Sequence, residues 1–136
     1  MAWLLDSNVW ISLLKQRDAR LIARCAVTPN ETMFVCAPVR AELMHGARRY
    51  DDSEQRRAKV AALLSQFVSL PFDDLAADVY GRIRDELERE RNVIGPFDMQ
   101  IAAIALARNL TVVTNNVSEF RRVRELRVED WSAAVA

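Results

Sequence analysis

The sequence predicts a three-layer α/β/α fold, in which a central parallel sheet is covered by helices on both faces. Short apolar segments alternate with longer segments that have helical periodicity. The first two apolar segments are hydrophobic at consecutive positions, which is typical of strands buried on both faces. The chain has 136 residues, 51% of them hydrophobic, which is enough for one domain with its own core. We therefore expect a single domain over residues 1–136.

Five apolar segments are the candidate strands, and the fifth is weak. The first ends at Asp6, and the second follows a turn at Thr28, Pro29 and Asn30. The segments span residues 2–5, 33–36, 68–70, 110–113 and 127–129. Because helical sequence separates them, their connections are the crossovers that parallel strands require.

Six helices are predicted between the strands. Asp18 lies near the start of the second, Pro38 in the first turn of the third, and Ser53 is the expected N-cap of the fourth. The fifth is the most clearly amphipathic, because its apolar residues recur four apart on one stripe. The sixth is apolar almost all the way round. The six span residues 9–14, 18–27, 38–50, 53–67, 73–91 and 95–109.

The composition narrows the class of protein. The formal net charge is zero, so the chain lacks the basic character of many nucleic-acid binders. Its cations are 17 Arg and two Lys, a bias that suits phosphate contacts but that a GC-rich genome also produces. Cys25 and Cys36 form no zinc pattern, and their apolar surroundings indicate buried free thiols.

The N-terminal segment MAWLLDSNVWISLLK is apolar but is not expected to be a signal peptide. It has no basic region, and Asp6 interrupts it. No apolar run is long enough to cross a membrane. We therefore expect a soluble, cytoplasmic protein.

Acidic and amide side chains follow the predicted strands, at the edge where open parallel sheets bind ligands. Asp6 follows the first strand, and Glu42 lies in the helix after the second. Asp98 begins the helix that leads into the fourth strand, after which come the paired asparagines and Glu119 of TNNVSEF. Distant in sequence, these residues are expected to face one crevice.

Each of these residues also has an ordinary structural interpretation. Asp6 could cap the first helix, and Glu42 could lie on a solvated face. Asp98 could interact with the positive end of its helix dipole. Asn116 and Glu119 have the spacing of a capping box.

Considered together, the acids indicate a metal site. The segments around Glu42 and Asp98 are too apolar to leave much solvated face. Buried carboxylates that lie close together are costly unless a cation compensates them. The two lysines, Lys15 and Lys59, are not at strand ends, whereas a hard divalent cation is a natural partner for clustered oxygens. We therefore predict that Asp98 holds metal.

Five segments spread over nearly the whole chain carry a resemblance to a known family. They read LLDSNVW, APVRAELMHGA, IGPFDMQIAAIA, VVTNNVSEF and LRVEDWS. In this order they resemble the PIN-domain ribonucleases, and among them the VapC-type toxins of bacterial toxin–antitoxin pairs. The resemblance implies a parallel five-stranded sheet and a Mg²⁺ or Mn²⁺ centre held by acids. It also implies hydrolysis of RNA phosphodiesters, leaving 5′-phosphate and 3′-hydroxyl ends.

The resemblance assigns catalytic roles to four acids. Asp6 and Asp98 match positions that bind metal directly, and Glu42 matches one that binds metal or orients the attacking water. Many members carry an Asp shortly after the fourth strand, a position that is not acidic in this chain. Glu119 is the expected replacement, acting through a second metal or a water.

Four polar residues are expected to support these acids. Ser7 and Thr114 are candidates to fix the carboxylates by hydrogen bonds. Asn115 and Asn116 stand where relatives have the fourth acid, and Asn116 is expected to hold a water at the metal.

Partners are implied by the resemblance alone. They are a cognate VapB-type antitoxin, a second copy of the chain in a homodimer, and an RNA substrate. Transfer RNA cut in the anticodon stem-loop, the initiator species in particular, is the specific expectation. The first helix, around Trp10, is either part of the antitoxin groove or an ordinary core helix, and the residues leave both open.

Two other functions compete with this prediction. A phosphatase or phospho-acceptor domain would need an Asp where Asn8 stands and a late Lys, and none follows Lys59. The second rival is a degenerate PIN module that binds RNA or a protein without cleaving. The absence of an Asp after the fourth strand favours it, and the presence of Asp6, Glu42 and Asp98 argues against it.

Overall fold

The computed structural model describes residues 1–132, and in this part of the chain one five-stranded sheet has all its strands parallel. The strands are β1 (Trp3–Leu5), β2 (Met33–Cys36), β3 (Val68–Leu70), β4 (Thr111–Val113) and β5 (Val128–Glu129). Their order across the sheet is β3-β2-β1-β4-β5. The predicted parallel five-stranded sheet is confirmed, and the last four residues of the predicted domain lie outside the described part.

Helices occupy the connections between the strands. Within residues 1–132 they are α1 (Ser7–Lys15), α2 (Ala19–Ala26), α3 (Ala37–Arg48), α4 (Ser53–Leu64), α5 (Asp74–Arg89), α6 (Pro96–Ala107) and α7 (Val117–Phe120). A single 3₁₀ turn, Asn30–Thr32, precedes β2. None of the helices in residues 1–132 is long and apolar enough to cross a membrane.

The sheet is the middle layer of three. Leu4 and Leu5 of β1 are both 0% exposed, and successive strand residues point to opposite faces. Val112 and Val113 of β4 are buried in the same way. Helices therefore cover both faces, which confirms the predicted α/β/α layering. The apolar run at 101–105 in α6 is buried, as its sequence predicted.

The helix starts follow local hydrogen bonding, with one wrong prediction. Asp18 caps α2 by accepting from the backbone N–H of Arg20 and Leu21 at 3.0 and 3.1 Å. The predicted N-cap at Ser53 is wrong, because Asp52 holds that position and Ser53 is the first helical residue. The Asp52 side chain makes no capping bond and instead pairs with Nε of Arg56 at 2.8 Å.

The two thiols are free, as expected. Cys36 is buried and Cys25 half-buried. Burial raises the pKa of Cys36 to about 12 and that of Cys25 to about 11, so both are protonated at neutral pH.

The strand order fixes where a ligand site can form. From β1, the chain builds outward to β2 and β3 on one side and later to β4 and β5 on the other. The order therefore reverses between β1 and β4. In open parallel sheets, the crevice beyond the carboxyl ends of two such strands is the usual ligand site.

Candidate active site

Asp6 and Thr114 join the carboxyl ends of β1 and β4. The backbone N–H of Asp6 donates to the carbonyl of Val113 at 3.0 Å, which continues the ladder between the strands. Asp6 is 5% exposed, and its Oδ1 accepts from the N–H of Val9 at 3.2 Å, which caps α1. Its Oδ2 accepts from the hydroxyl of Thr114. The carboxylate is thus held on both oxygens at the switch in strand order.

Asp98 lies in the first turn of α6 and is half-buried. The helix begins at Pro96, where the missing N–H costs nothing because the first turn has no internal acceptor for it. A Cβ atom placed on Gly95 would lie 3.8 Å from Oδ2 of Asp98 and 3.9 Å from Oε1 of Glu119. The two carboxylates therefore border the same stretch of backbone.

Glu119 links α7 to the start of α6. Its Oε1 accepts from the backbone N–H of Gly95 at 3.0 Å, and its Oε2 accepts from the side-chain amide of Asn116. The capping box that the spacing of Asn116 and Glu119 allowed does not form. The N–H of Asn116 instead donates to Oγ1 of Thr114 at 2.9 Å, which connects Glu119 to Asp6 through Asn116 and Thr114.

Glu42 contributes the fourth acid, from the middle of α3. It is half-buried. Its charge raises the pKa of both Asp6 and Asp98, so it lies within electrostatic reach of each. The structure therefore links Asp6, Asp98 and Glu119 through short contacts and places Glu42 within electrostatic reach of Asp6 and Asp98.

The pKa values of Asp6, Asp98 and Glu119 are shifted from their ordinary range. Burial raises the pKa of Asp98 to about 7, with further contributions from its hydrogen bond to Glu119 and from the charges of Glu119, Asp6 and Glu42. Burial also raises the pKa of Asp6, against the opposing effect of the Thr114 hydrogen bond. The pKa of Glu119 is lowered, chiefly by the N–H of Gly95. Asp98 is thus the acid that retains a proton and shares it with Glu119.

The donor chemistry of the cluster fits Mg²⁺ or Mn²⁺, because all four side chains offer only carboxylate oxygens. Within residues 1–132, none of the four forms an ion pair with Lys or Arg. Also among these residues, no group of three His, Cys, Asp or Glu side chains could hold one ion as it stands.

The supporting residues divide into two groups. Ser7 and Thr114 are buried, and the Ser7 hydroxyl makes no hydrogen bond within the described part of the chain. Asn116 is half-buried and bonded to Glu119, whereas Asn115 is exposed and makes no side-chain contact with the four acids in residues 1–132. His45 is exposed.

Sequence reasoning did not find the role of Gly95. Its N–H has the largest effect in lowering the pKa of Glu119, but a glycine has no side chain to indicate such a role. Arg122 acts nearby, with its Nη1 donating to the carbonyl of Val93 at 3.1 Å and its charge also lowering the pKa of Glu119.

The sequence comparisons agree with the geometry. The model of the PIN domain family matches residues 3–126. The chain is 36% identical over 132 residues to the tRNA(fMet)-specific endonuclease VapC of Shigella flexneri, covering 97% of this chain and 99% of that protein. It is 33% identical to Ribonuclease VapC2 of Rickettsia felis, covering 96% of this chain and 98% of that protein.

Solved structures give the same result. DNA-bound VapBC from Salmonella typhimurium matches with a TM-score of 0.90 and 34% identity, over 96% of this chain and 98% of that chain. VapBC2 from Rickettsia felis, bound to a DNA fragment from its promoter, matches with a TM-score of 0.89 and 31% identity, over 96% and 99%. The chain therefore belongs to the PIN domain family, as a member of the VapC type.

Proposed function

We propose that this chain is a metal-dependent endoribonuclease and the toxin of a type II toxin–antitoxin pair. The observation that carries the proposal is a cluster of acids at the carboxyl ends of β1 and β4, in which Asp6 and Glu119 are connected through Thr114 and Asn116 and none of the acids is in an ion pair within residues 1–132. Glu42, Asp98 and Glu119 come from three separate helices, and Asp6 lies between β1 and α1. Burial raises the pKa of Asp98 to about 7, and the charges of the other three acids add to this effect. An arrangement that costs stability in the free protein is typical of a functional site.

We propose that Asp6, Glu42 and Asp98 hold Mg²⁺ or Mn²⁺, with Glu119 acting beside them. A bound cation of this kind would lower the pKa of a water molecule and offset the charge of a phosphodiester. Thr114 fixes the rotamer of Asp6, and Asn116 together with the Gly95 N–H fixes Glu119. These residues hold the acids in place before any substrate arrives.

The substrate and partners are proposed from the relatives. A relative from Shigella flexneri is named as specific for tRNA(fMet), so we propose the initiator tRNA as substrate. Several matching structures are VapBC complexes, so we propose a VapB-type antitoxin as partner and a homodimer as the toxin's own assembly.

A second candidate is a PIN module that binds without cleaving. One observation favours it: both oxygens of Glu119 are already engaged, by the Gly95 N–H and the Asn116 amide. These bonds make Glu119 a link between α7 and the start of α6, a structural role that needs no metal.

The deciding experiment is a cleavage assay with purified protein on initiator tRNA. Mg²⁺ or Mn²⁺ should support cleavage, a chelator should abolish it, and mapped fragments should carry 5′-phosphates. Asp98→Asn, prepared in parallel, should be inactive. RNA binding without cleavage under every metal condition would favour the second candidate, and equal cleavage by Asp98→Asn would identify a contaminating nuclease.

A further inference from the structure

Phe97 is an exposed aromatic residue without an aromatic or cationic partner among residues 1–132. The sequence has ten Phe, Trp and Tyr residues, and among residues 1–132 two of them are exposed: Phe97 at 48% and Tyr50 at 45%. The ring of Tyr50 is covered by the guanidinium of Arg56 at 3.6 Å. Phe97 has no aromatic or cationic partner in the described residues. Its π-face is therefore available to a ligand.

The position of Phe97 connects it to the candidate active site. It precedes Asp98 in the first turn of α6. The backbone just before it is held at two points, because the Gly95 N–H donates to Glu119 and the Val93 carbonyl accepts from Arg122. Val93 is itself 50% exposed. Two exposed apolar side chains, Val93 and Phe97, thus lie on a fixed segment of backbone that leads into Asp98.

The negative charge of the four acids affects which contacts can hold RNA beside them. RNA is a polyanion, and the four carboxylates repel its phosphates. A bound cation would offset this repulsion at the phosphate that is cut, and a contact that does not depend on phosphate charge would hold the nucleotide beside it. Stacking of a base on an aromatic ring is such a contact, and it tolerates many sequences because every base has a π-face.

We propose that Phe97 is a stacking platform for an unpaired nucleobase next to the phosphate that is cut, which makes it a substrate-positioning residue. The proposal rests on the nuclease function proposed above. The competing occupant is a second copy of the chain, since an exposed Phe also suits a dimer contact, and the test separates the two.

The test uses RNA binding by an inactive parent, so that cleavage does not interfere. Asp98→Asn protein is titrated with the initiator-tRNA anticodon stem-loop, in which 2-aminopurine replaces loop adenines one at a time. Phe97→Ala, Phe97→Leu and Phe97→Trp are added to this parent, with Tyr50→Ala as the matched control. The oligomeric state and melting temperature of each variant are measured alongside.

Phe97→Ala should weaken binding by about 5- to 100-fold and remove the quenching of one 2-aminopurine position. Phe97→Trp should retain both, whereas Phe97→Leu should behave like Ala, because Leu keeps apolar bulk but has no π-face. Tyr50→Ala should bind like the parent. In the active protein, Phe97→Ala should raise KM with kcat unchanged.

Four outcomes would overturn the inference. Binding by Phe97→Ala that is as tight as that of the parent, while wild-type protein cleaves RNA, would leave the nuclease function intact and remove only the role of Phe97. Rescue by Leu would show that bulk rather than stacking matters. Weaker binding that coincides with a change from dimer to monomer would assign Phe97 to the interface between copies. If the parent binds no RNA and wild-type protein cleaves none, the nuclease function fails as well.

Discussion

Two acidic sites in this molecule, Glu129 and the cluster around Asp98, differ in the hydrogen-bond donors and cations that surround them. Glu129 of β5 is saturated with donors: its Oε2 accepts from Trp3 Nε1 at 3.2 Å and its Oε1 from Trp131 Nε1 at 3.0 Å. The guanidinium of Arg24 lies 3.7 Å from Oε1 and 4.6 Å from the centre of the Trp131 ring. Glu129 thus has two hydrogen-bond donors and a cation within this cluster, and the Arg24 guanidinium also lies over the Trp131 ring. These contacts connect β5 to α2 and β1.

Within the described part of the chain, the cluster of acids around Asp98 lacks the ion pair with an arginine that Glu129 has. Among residues 1–132, none of its four acids is in an ion pair, and Asp98 accommodates its neighbours by keeping a proton. The comparison teaches that this chain can neutralise an acid at the sheet with an arginine when stability requires it. The charge of Arg122 lowers the pKa of Glu119, but within residues 1–132 no arginine forms an ion pair with any of the four acids, as expected for a site that binds a cation.

The largest expected effect is the loss of cleavage in Asp98→Asn. Removing one carboxylate from a metal site should lower the cleavage rate by more than about 100-fold, since even the residues that only support such ligands are worth about 10- to 100-fold. Glu129→Gln, the matched change in the saturated cluster, should leave the rate unchanged. Initial rates on initiator tRNA measure both, and similar losses in the two variants would erase the distinction.

Thr114→Val should have the next largest effect. It removes the hydroxyl that holds Asp6 but keeps the volume, so activity should fall about 10- to 100-fold. Thr111→Val is the control, because Thr111 is equally buried in β4 but accepts from Nε of Arg127 at 3.2 Å instead. Equal activity in the two variants would mean that the rotamer of Asp6 does not matter.

Glu119→Gln tests the fourth acid. Loss of its charge should lower activity about tenfold, whereas Asn115→Ala should have little effect because that side chain is exposed. The cleavage rates of the two variants decide the matter. The reverse order would place the fourth function on Asn115 and favour Glu119 as a purely structural link.

The sequence predicted the acids better than their connections. Asp6 and Asp98 could be found because each stands beside an apolar strand or helix whose burial is visible in the sequence. The bond from Gly95 to Glu119 could not, because it joins residues 24 apart and depends on how α7 sits against the start of α6. The Glu129 cluster was missed for the same reason, since Trp3 and Glu129 are 126 residues apart.

A similar limit applies to Trp10. Its sequence context left a core role and a groove role open. The structure gives Trp10 0% exposure, a bond from Nε1 to the Leu5 carbonyl at 3.0 Å, and an edge contact with Phe67 at 4.9 Å. The core role is therefore confirmed for this side chain. Ile11 and Leu14 of the same helix instead line an open cavity of about 240 Å³.

The smallest expected effects concern stability without metal, where the two acid groups should respond with opposite signs. Asp98 has a pKa of about 7 in the folded protein against an ordinary 3.8, so folding favours its protonated form. Its contribution is complete below about pH 4 and is lost as the pH rises to about 7. The lowered pKa of Glu119 acts below its ordinary 4.5, so between pH 5 and 7 the slope comes from the acids whose pKa is raised, Asp98 and Asp6.

In a chelator, the melting temperature of the wild type should therefore fall from pH 5 to pH 7, by about 4 °C for each kcal/mol lost. Asp98→Asn should flatten this slope and be at least as stable at pH 7. Glu129→Gln should lower the melting temperature at both values, by about 1 kcal/mol of unfolding free energy. A lower melting temperature for Asp98→Asn at pH 7 would mean that its charge stabilises the crevice.

The central claim is that the four acids form one site for a divalent cation, and calorimetric titration with Mn²⁺ tests it most directly. The account predicts saturable binding to the wild type, with release of protons at pH 7 as Asp98 ionises, and strongly weakened binding to Asp6→Asn and Asp98→Asn. Glu129→Gln should bind like the wild type. Equal affinity in the wild type and Asp98→Asn, or no saturable binding to the wild type, would contradict the account.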